Sequence, residues 1–349
     1  MAGTALLPKV RGRMDTRRNF VTKLGLTTLG SALLAGRPLA AVAGAPGTRN
    51  LRLGHWSSTD SPHHAFAVRF ADLAAKKTSG ALAITIYPNE EIGTYNQQID
   101  AQRSGTLDFS LPPGAALGRV DPKFLILSLP YLFKSPQNAY AVLDGPTGQR
   151  FLSTLPAGGV RVLAFSTNGM RNTTNARRPI TKVEDLVGLS IRVPPNGVSV
   201  ALFRALGARP IALPFTQVYA ALRGHKVDGE ENPFANIYTG KFYEVQPYLA
   251  TTRHQFEGLG IAVSEKTWST FDASTRSAVA DAAREAAVFH RSEFDRFDAA
   301  SRLKLEALGM RVTAPDLAPF KAKSRALYRQ FATVFGADLV HDVEKAAQA

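Results

Sequence analysis

After Ala43, short runs with apolar residues at alternate positions take turns along the chain with longer runs of helical period. Leu51 and Leu53 predict a strand, Phe66, Phe70, Leu73 and Ala74 a helix, and Leu82, Ile84 and Ile86 a second strand. Ser61-Pro62 supplies that helix with a cap and a first-turn proline, and Ser79-Gly80 closes it. The βαβ rhythm continues through Leu107-Asp108-Phe109, Val162 to Phe165, Leu189 to Val193, Ile211 to Leu213 and Leu259 to Val263. It predicts an α/β fold with mostly parallel sheet flanked by helices. Gln102 to Asp108 and Leu222 to Asp228 share a helix end, a glycine break and a short strand closed by aspartate. Two similar lobes would produce this, and so would chance likeness between short helix-to-strand turns. From Ser274 to Gly309 there is no proline and one glycine, at the end, and the apolar positions run Val279, Ala283, Ala286, Ala287, Phe294, Phe297, Leu303. That predicts one helix of about 35 residues, roughly 50 Å long, more than one lobe needs and enough to brace two. Shorter amphipathic helices follow at Leu317 to Phe335 and Asp338 to Ala347.

The first 43 residues read differently. A charged start around Thr16-Arg17-Arg18-Asn19-Phe20 precedes a mildly apolar stretch from Leu24 to Gly36 and small residues ending Ala41-Val42-Ala43. This is the layout of a secretory signal removed near Ala43. The stretch holds three glycines and three hydroxyl residues and is too short to span about 30 Å of hydrocarbon, which argues against a permanent anchor. Consecutive arginines before Asn-Phe resemble a twin-arginine export address; an ordinary secretory signal that happens to hold two arginines is the alternative. Either route leads outside the cytoplasm. Met14 is a candidate true start.

Length changes the picture little: 349 residues allow about two domains, and the absence of cysteine removes disulfides and thiolate metal sites. The net charge of +14 invites a nucleic-acid reading, but the leader supplies +6 of it. The remaining basic residues are interleaved with acids, as on a solvated surface, so no nucleic-acid partner is expected. No nucleophile elbow, phosphate loop, dinucleotide fingerprint, zinc helix or calcium loop is present, and no cofactor or metal is expected. His63-His64 reads as a solvated pair, and Glu90-Glu91 and Glu230-Glu231 as charged turn residues more readily than as paired catalytic acids.

The densest polar information lies between Asn168 and Asn232. Asn168-Gly169-Met170-Arg171 follows one predicted strand and Arg192-Val193-Pro194-Pro195 ends another, and in open α/β sheets ligands gather beyond such strand ends. Arg192 sits in a run otherwise made of Leu189, Ile191 and Val193, stiffened by the two prolines, and its planar fork suits a carboxylate.

The chain resembles the solute-binding subunits of tripartite ATP-independent periplasmic (TRAP) transporters, of the DctP type. The resemblance is carried by Tyr87-Pro88 with Ile92-Gly93, Gly105 to Phe109, Leu129 to Phe133, Gly169 to Asn175, Gly188 to Pro194 and Leu206-Gly207-Ala208. Pro214 to Leu222, Val227 to Pro233 and Lys241 to Val245 continue it in the same order. It implies a two-lobed periplasmic binding protein fold that closes a cleft on an organic acid, with a long helix bracing both lobes. Arg192 matches the arginine that pairs with the ligand carboxylate, Arg171 a second arginine that supports it, Asn232 an asparagine that donates to the same group, and Phe215 an aromatic residue that packs on the ligand. Trp56 falls where the opposite lobe reaches into the cleft. The expected lobes are 44–168 with about 257–297, and 169–256 with about 298–349. The expected partners are membrane permease subunits, and the expected state is a monomer. Two departures bear on the ligand: Glu91 and Glu230 stand where the family usually has glutamine, and Leu111-Pro112-Pro113-Gly114 makes an apolar wall. Wall and tryptophan together point to a small or aromatic organic acid over a polyhydroxy sugar. An exported hydrolase or lyase using the same cleft is the competing reading.

Overall fold

The computed structural model describes residues 47–348; the leader, with Arg17 and Arg18, lies outside the described residues. Nine strands form one sheet: β1 Arg49–Gly54, β2 Leu82–Tyr87, β3 Phe109–Ser110, β4 Val160–Asn175, β5 Ser190–Val193, β6 Arg209–Ala212, β7 Gly229–Asn232, β8 Tyr248–Ser264 and β9 Arg311–Thr313. Their order is β2-β1-β3-β8-β4-β7-β5-β6, with β9 beside the start of β8. The outer pairs are parallel, as the βαβ rhythm requires, but β8 pairs antiparallel with β3 and β4, and β4 with β7. The sheet is therefore mixed: most of its strand pairings are parallel, as expected, but its longest ladder is the antiparallel one between β4 and β8.

That ladder escapes a periodicity reading because only one end of each strand is apolar. Val160 to Phe165 and Leu259 to Val263 are recognisable; Ser166 to Asn175 and Thr251 to Gln255 look like loop. They extend because β4 and β8 pair across the middle of the molecule, where their polar side chains bond to one another and to β7. The register shifts at Val162/Ala164, Thr167/Gly169 and Arg171/Thr173, so the ladder bends as it crosses. Asn168 to Arg171 thus lie inside β4 and do not follow a strand end.

Apolar residues gather on either side of this crossing. On one side the helix Pro62–Lys77, capped by Ser61, lays Phe66 and Phe70 against Leu53, Phe109 and Ile261; each buried ring contributes about 2 to 3 kcal/mol. On the other, Ile191, Val193 and Phe203 pack with Phe320, and Val218, Leu222 and Phe242 with Leu249. The long helix is Ala273–Ala307, with Asp272 accepting from the Thr275 amide at 2.7 Å. Val279 to Ala287 belong to the first core and Leu305 to the last, so this one element contributes to both. The expected helix at 317–335 is two, Ala318–Ser324 and Ala326–Phe335, before the final Ala337–Gln348. Leu339 and Val343 of that last helix share a core with Phe124, Phe151 and Phe165, and Asp342 meets Arg150 at 3.1 Å, so the chain ends against its first half.

Gly229 opens β7 between β4 and β5, and a Cβ there would lie 2.1 Å from the Thr174 carbonyl oxygen. Gly229→Ala must push the strand bearing Glu230 to Asn232 away from β4, at a cost of about 3 kcal/mol or more. A urea titration should show a lower midpoint with an unchanged slope.

Candidate functional site

Beside the crossing, Trp56, Tyr95, Pro113, Asn168, Arg171, Arg192, Pro194, Phe215, Asn232 and Glu257 line a small cavity of about 20 Å3. The structure brings together all five residues singled out from the sequence, Arg192, Arg171, Asn232, Phe215 and Trp56.

The two arginines differ in what they are free to do. Arg171, on β4, is buried and committed: Nε donates to Glu231 Oε2 at 2.6 Å, Nη2 to the Glu231 carbonyl at 2.6 Å and to Asn232 Oδ1 at 3.2 Å, and Nη1 to Glu257 Oε2. Burial alone would favour losing its proton, but the two carboxylates outweigh that and hold it firmly charged. Glu231 also meets His254 Nε2 at 2.9 Å, with Thr252 on the other ring nitrogen. Burial keeps that imidazole below its ordinary range despite the carboxylate. Glu257 accepts from Asn168 at 2.8 Å, and Asn236 donates to Asn168 at 3.0 Å.

Arg192, on β5, is 2% exposed and has no carboxylate within ion-pair distance among the described residues. Its Nε and Nη2 both donate to the Leu213 carbonyl, at 2.9 and 2.7 Å. This fixes the plane of the fork and leaves Nη1 without a partner among the described residues. Burial, and then the like charge of Arg171, pull its pKa down, while Tyr95 and the glutamates oppose that. A buried guanidinium so placed can receive an anion. Tyr95 stands close enough that the guanidinium partly offsets its burial, which still pushes the phenol up to about 12.

The walls are aromatic and cyclic. Trp56 meets Phe215 edge-on with ring centroids 4.8 Å apart, and its indole Nε1 has no hydrogen-bond partner. Next to Phe215, Thr216 donates to Glu90 at 2.6 Å, which ties the β6–β7 connection to the turn after β2. Pro113 comes from the expected apolar wall, held by the bridge to Leu259.

Two expectations fail on burial. His63 is 1% exposed and packs between Trp56 and His290, and burial lowers it to about 3. His64 is half-buried against His55, so the pair is not a solvated one. Glu230 and Glu231 are fully buried on β7 and are not turn residues, because Arg171, Thr174 and Asn232 receive them. Glu257 went unrecognised although its signal was available, a carboxylate between Phe256 and Gly258-Leu259 in an apolar strand. Tyr95, at the start of the helix Tyr95–Ser104, carries no such signal.

A buried cation fixed at one edge of a small space with aromatic walls describes a site for an anionic solute. Residues 53–333 match the profile of bacterial extracellular solute-binding protein family 7, DctP, and the chain belongs to that family. It is 31% identical over 243 residues to the 2,3-diketo-L-gulonate-binding periplasmic protein YiaO of Escherichia coli, covering 70% of this chain and 74% of that one. It is 32% identical over 273 residues to the C4-dicarboxylate-binding periplasmic protein DctP of Rhodobacter capsulatus, covering 78% and 80%. The sugar acid binding protein DctPAm of Advenella mimigardefordensis, solved with galactonate, superposes with a TM-score of 0.84 at 30% identity, covering 86% of this chain and 98% of that one. The fold is accordingly the two-lobed α/β fold of TRAP solute-binding proteins, and the protein is a solute-binding protein of that class, not an enzyme.

Burial raises Glu230 to about 7, with Glu231 adding to the rise and Asn232, Thr174 and Arg192 opposing it. Its folded pKa lies above the unfolded value near 4.5, so stability falls as pH rises from about 4.5 through about 7. Glu230→Gln removes that loss: its melting temperature should match the native protein near pH 5 and exceed it at pH 8, by the equivalent of about 1 to 3 kcal/mol.

Proposed function

We propose that the protein captures a small organic acid by its carboxylate on Arg192 and delivers it to the permease subunits of a TRAP-type secondary transporter. The observation that carries this is a buried guanidinium with an unpartnered Nη1 and no protein carboxylate, at the edge of an aromatic space. Arg171 acts by holding Asn232 and Glu231 beside the anchor, Asn232 offers its amide, and Phe215 and Trp56 pack on the body of the ligand. The cavity is small, about 20 Å3, and favours a compact acid. The lobes divide at about 168/169 and 256/257, with Trp56 from the first and Phe215 from the second meeting when the cleft is closed. The protein acts as a monomer in the periplasm after losing its leader. Its membership of a solute-binding family speaks against the hydrolase or lyase reading.

Arg192→Ala should weaken binding of the acid that co-purifies, identified by mass spectrometry, by about 2 to 5 kcal/mol, or roughly 30- to 5000-fold. Arg192→Lys keeps the charge without the fork and should recover only part of this. Calorimetric titration, with melting curves of the ligand-free variants to establish folding, checks both. Normal binding by Arg192→Ala would move the anchor elsewhere.

For location, replacing Arg17 and Arg18 together by lysine should leave uncleaved precursor inside the cell on fractionation. Unchanged export would remove the twin-arginine assignment and leave an ordinary secretory signal.

A further inference from the structure

Among the three carboxylates of the cluster, Glu230 alone has no cationic hydrogen-bond partner. Its oxygens accept from Thr174 Oγ1 at 2.7 Å and Asn232 Nδ2 at 2.5 Å, whereas Glu231 and Glu257 are both paired with Arg171. Its register partner across the parallel β5–β7 pair is Arg192. The charged groups that face it are Arg192 from β5, Arg171 from β4 and Glu231 from its own strand; behind Glu231 stands His254 on β8, whose pKa burial lowers.

With all three carboxylates ionised, two guanidinium groups leave this buried cluster one negative charge in excess. An entering carboxylate would double that excess beside charges that are themselves buried, and a single proton on Glu230 restores the original balance. A second ligand carboxylate would find no free cation on the cavity wall, because Arg171 is committed to Glu231 and Glu257.

We propose that Glu230 sets the charge of the ligand: the site takes a monocarboxylate together with one proton, which settles on Glu230, and turns dicarboxylates away. This rests on the reading of Arg192 as the anchor. No covalent bond changes; one proton moves from solvent to a Glu230 carboxylate oxygen as the anion arrives. The empty site already holds Glu230 near neutrality, so the proton is available at ordinary pH. The bound anion raises Glu230 further, and affinity therefore falls about tenfold per pH unit above about pH 7, until the ligand-bound value is reached. In Glu230→Gln the neutral amide stands in for the protonated acid, and affinity loses its pH dependence.

Formate serves as the probe because it is the smallest carboxylate and can be raised to saturation against chloride at constant ionic strength, with malonate as the dicarboxylate arm. Binding is read from Trp56 emission in a Trp268→Phe background, and proton uptake by calorimetry of the native protein in two buffers of different ionisation enthalpy. The expected results are net proton uptake on formate binding, a formate dissociation constant that rises about tenfold per pH unit above neutrality, a flat profile in Glu230→Gln and no competition from malonate. Binding that Arg192→Ala abolishes, but that is independent of pH and takes up no proton in the native protein, overturns the role of Glu230 and leaves the anchor standing. Malonate competing as well as formate overturns the exclusion of dicarboxylates. Formate that never saturates, or that binds Arg192→Ala equally well, overturns the anchor and the proposal with it. If Glu230→Gln does not fold, the proton count on the native protein decides alone.

Discussion

One guanidinium, that of Arg171, holds three strands at the centre of the molecule. It leaves β4, takes both the side chain and the carbonyl of Glu231 on β7, and reaches Glu257 on β8. Removing one partner from a buried set like this typically costs 3 to 5 kcal/mol, because the remaining charge is left uncompensated, so the set behaves as a unit. The rest of the polar interior is arranged around it: Asn232 and Asn168 are positioned by the same charges, Asn236 bonds to both, and His254 completes Glu231. Arg192 can be left without a carboxylate because those nearest to it are engaged elsewhere. A site that must present a free cation in a low-dielectric interior has to keep its own anions occupied, and Arg171 does that.

The sequence and the structure agree where burial is one-sided and disagree where it is not. Strands such as Leu51 to Leu53 and the helix of Phe66 and Phe70 have an apolar face and a polar one, and the pattern exposes them. The long helix was legible from end to end, because proline and glycine stay out of its interior. The polar halves of β4 and β8 were not, since Thr173 or Gln255 extends only when a partner strand supplies its hydrogen bonds, and nothing local says that it will. Glu230 and Glu231 illustrate the same limit. Adjacent glutamates are solvated unless cations and hydroxyls come to meet them, and those that do lie about 60 residues away on Arg171 and Thr174. Arg192 was legible for the opposite reason, a charge set among Leu189, Ile191 and Val193. The resemblance to a binding-protein family named five candidate residues that the fold brings to one cavity; the surroundings that separate the committed arginine from the free one came only from geometry.

The crossing of β4 and β8 bears on what kind of object this molecule is. Each strand contributes one end to the core around Phe66 and Phe109 and the other to the surroundings of Leu249, with the site residues between. A cut through the chain at the middle of either strand would strand half a ladder on each piece, with a row of unpaired amides and carbonyls along an open edge. Neither piece would be a module that could be lent to another protein. The two sides of the cleft were never beads on a string; they are two ends of one woven strip, and whatever the molecule inherits, loses or exchanges, it does as a whole.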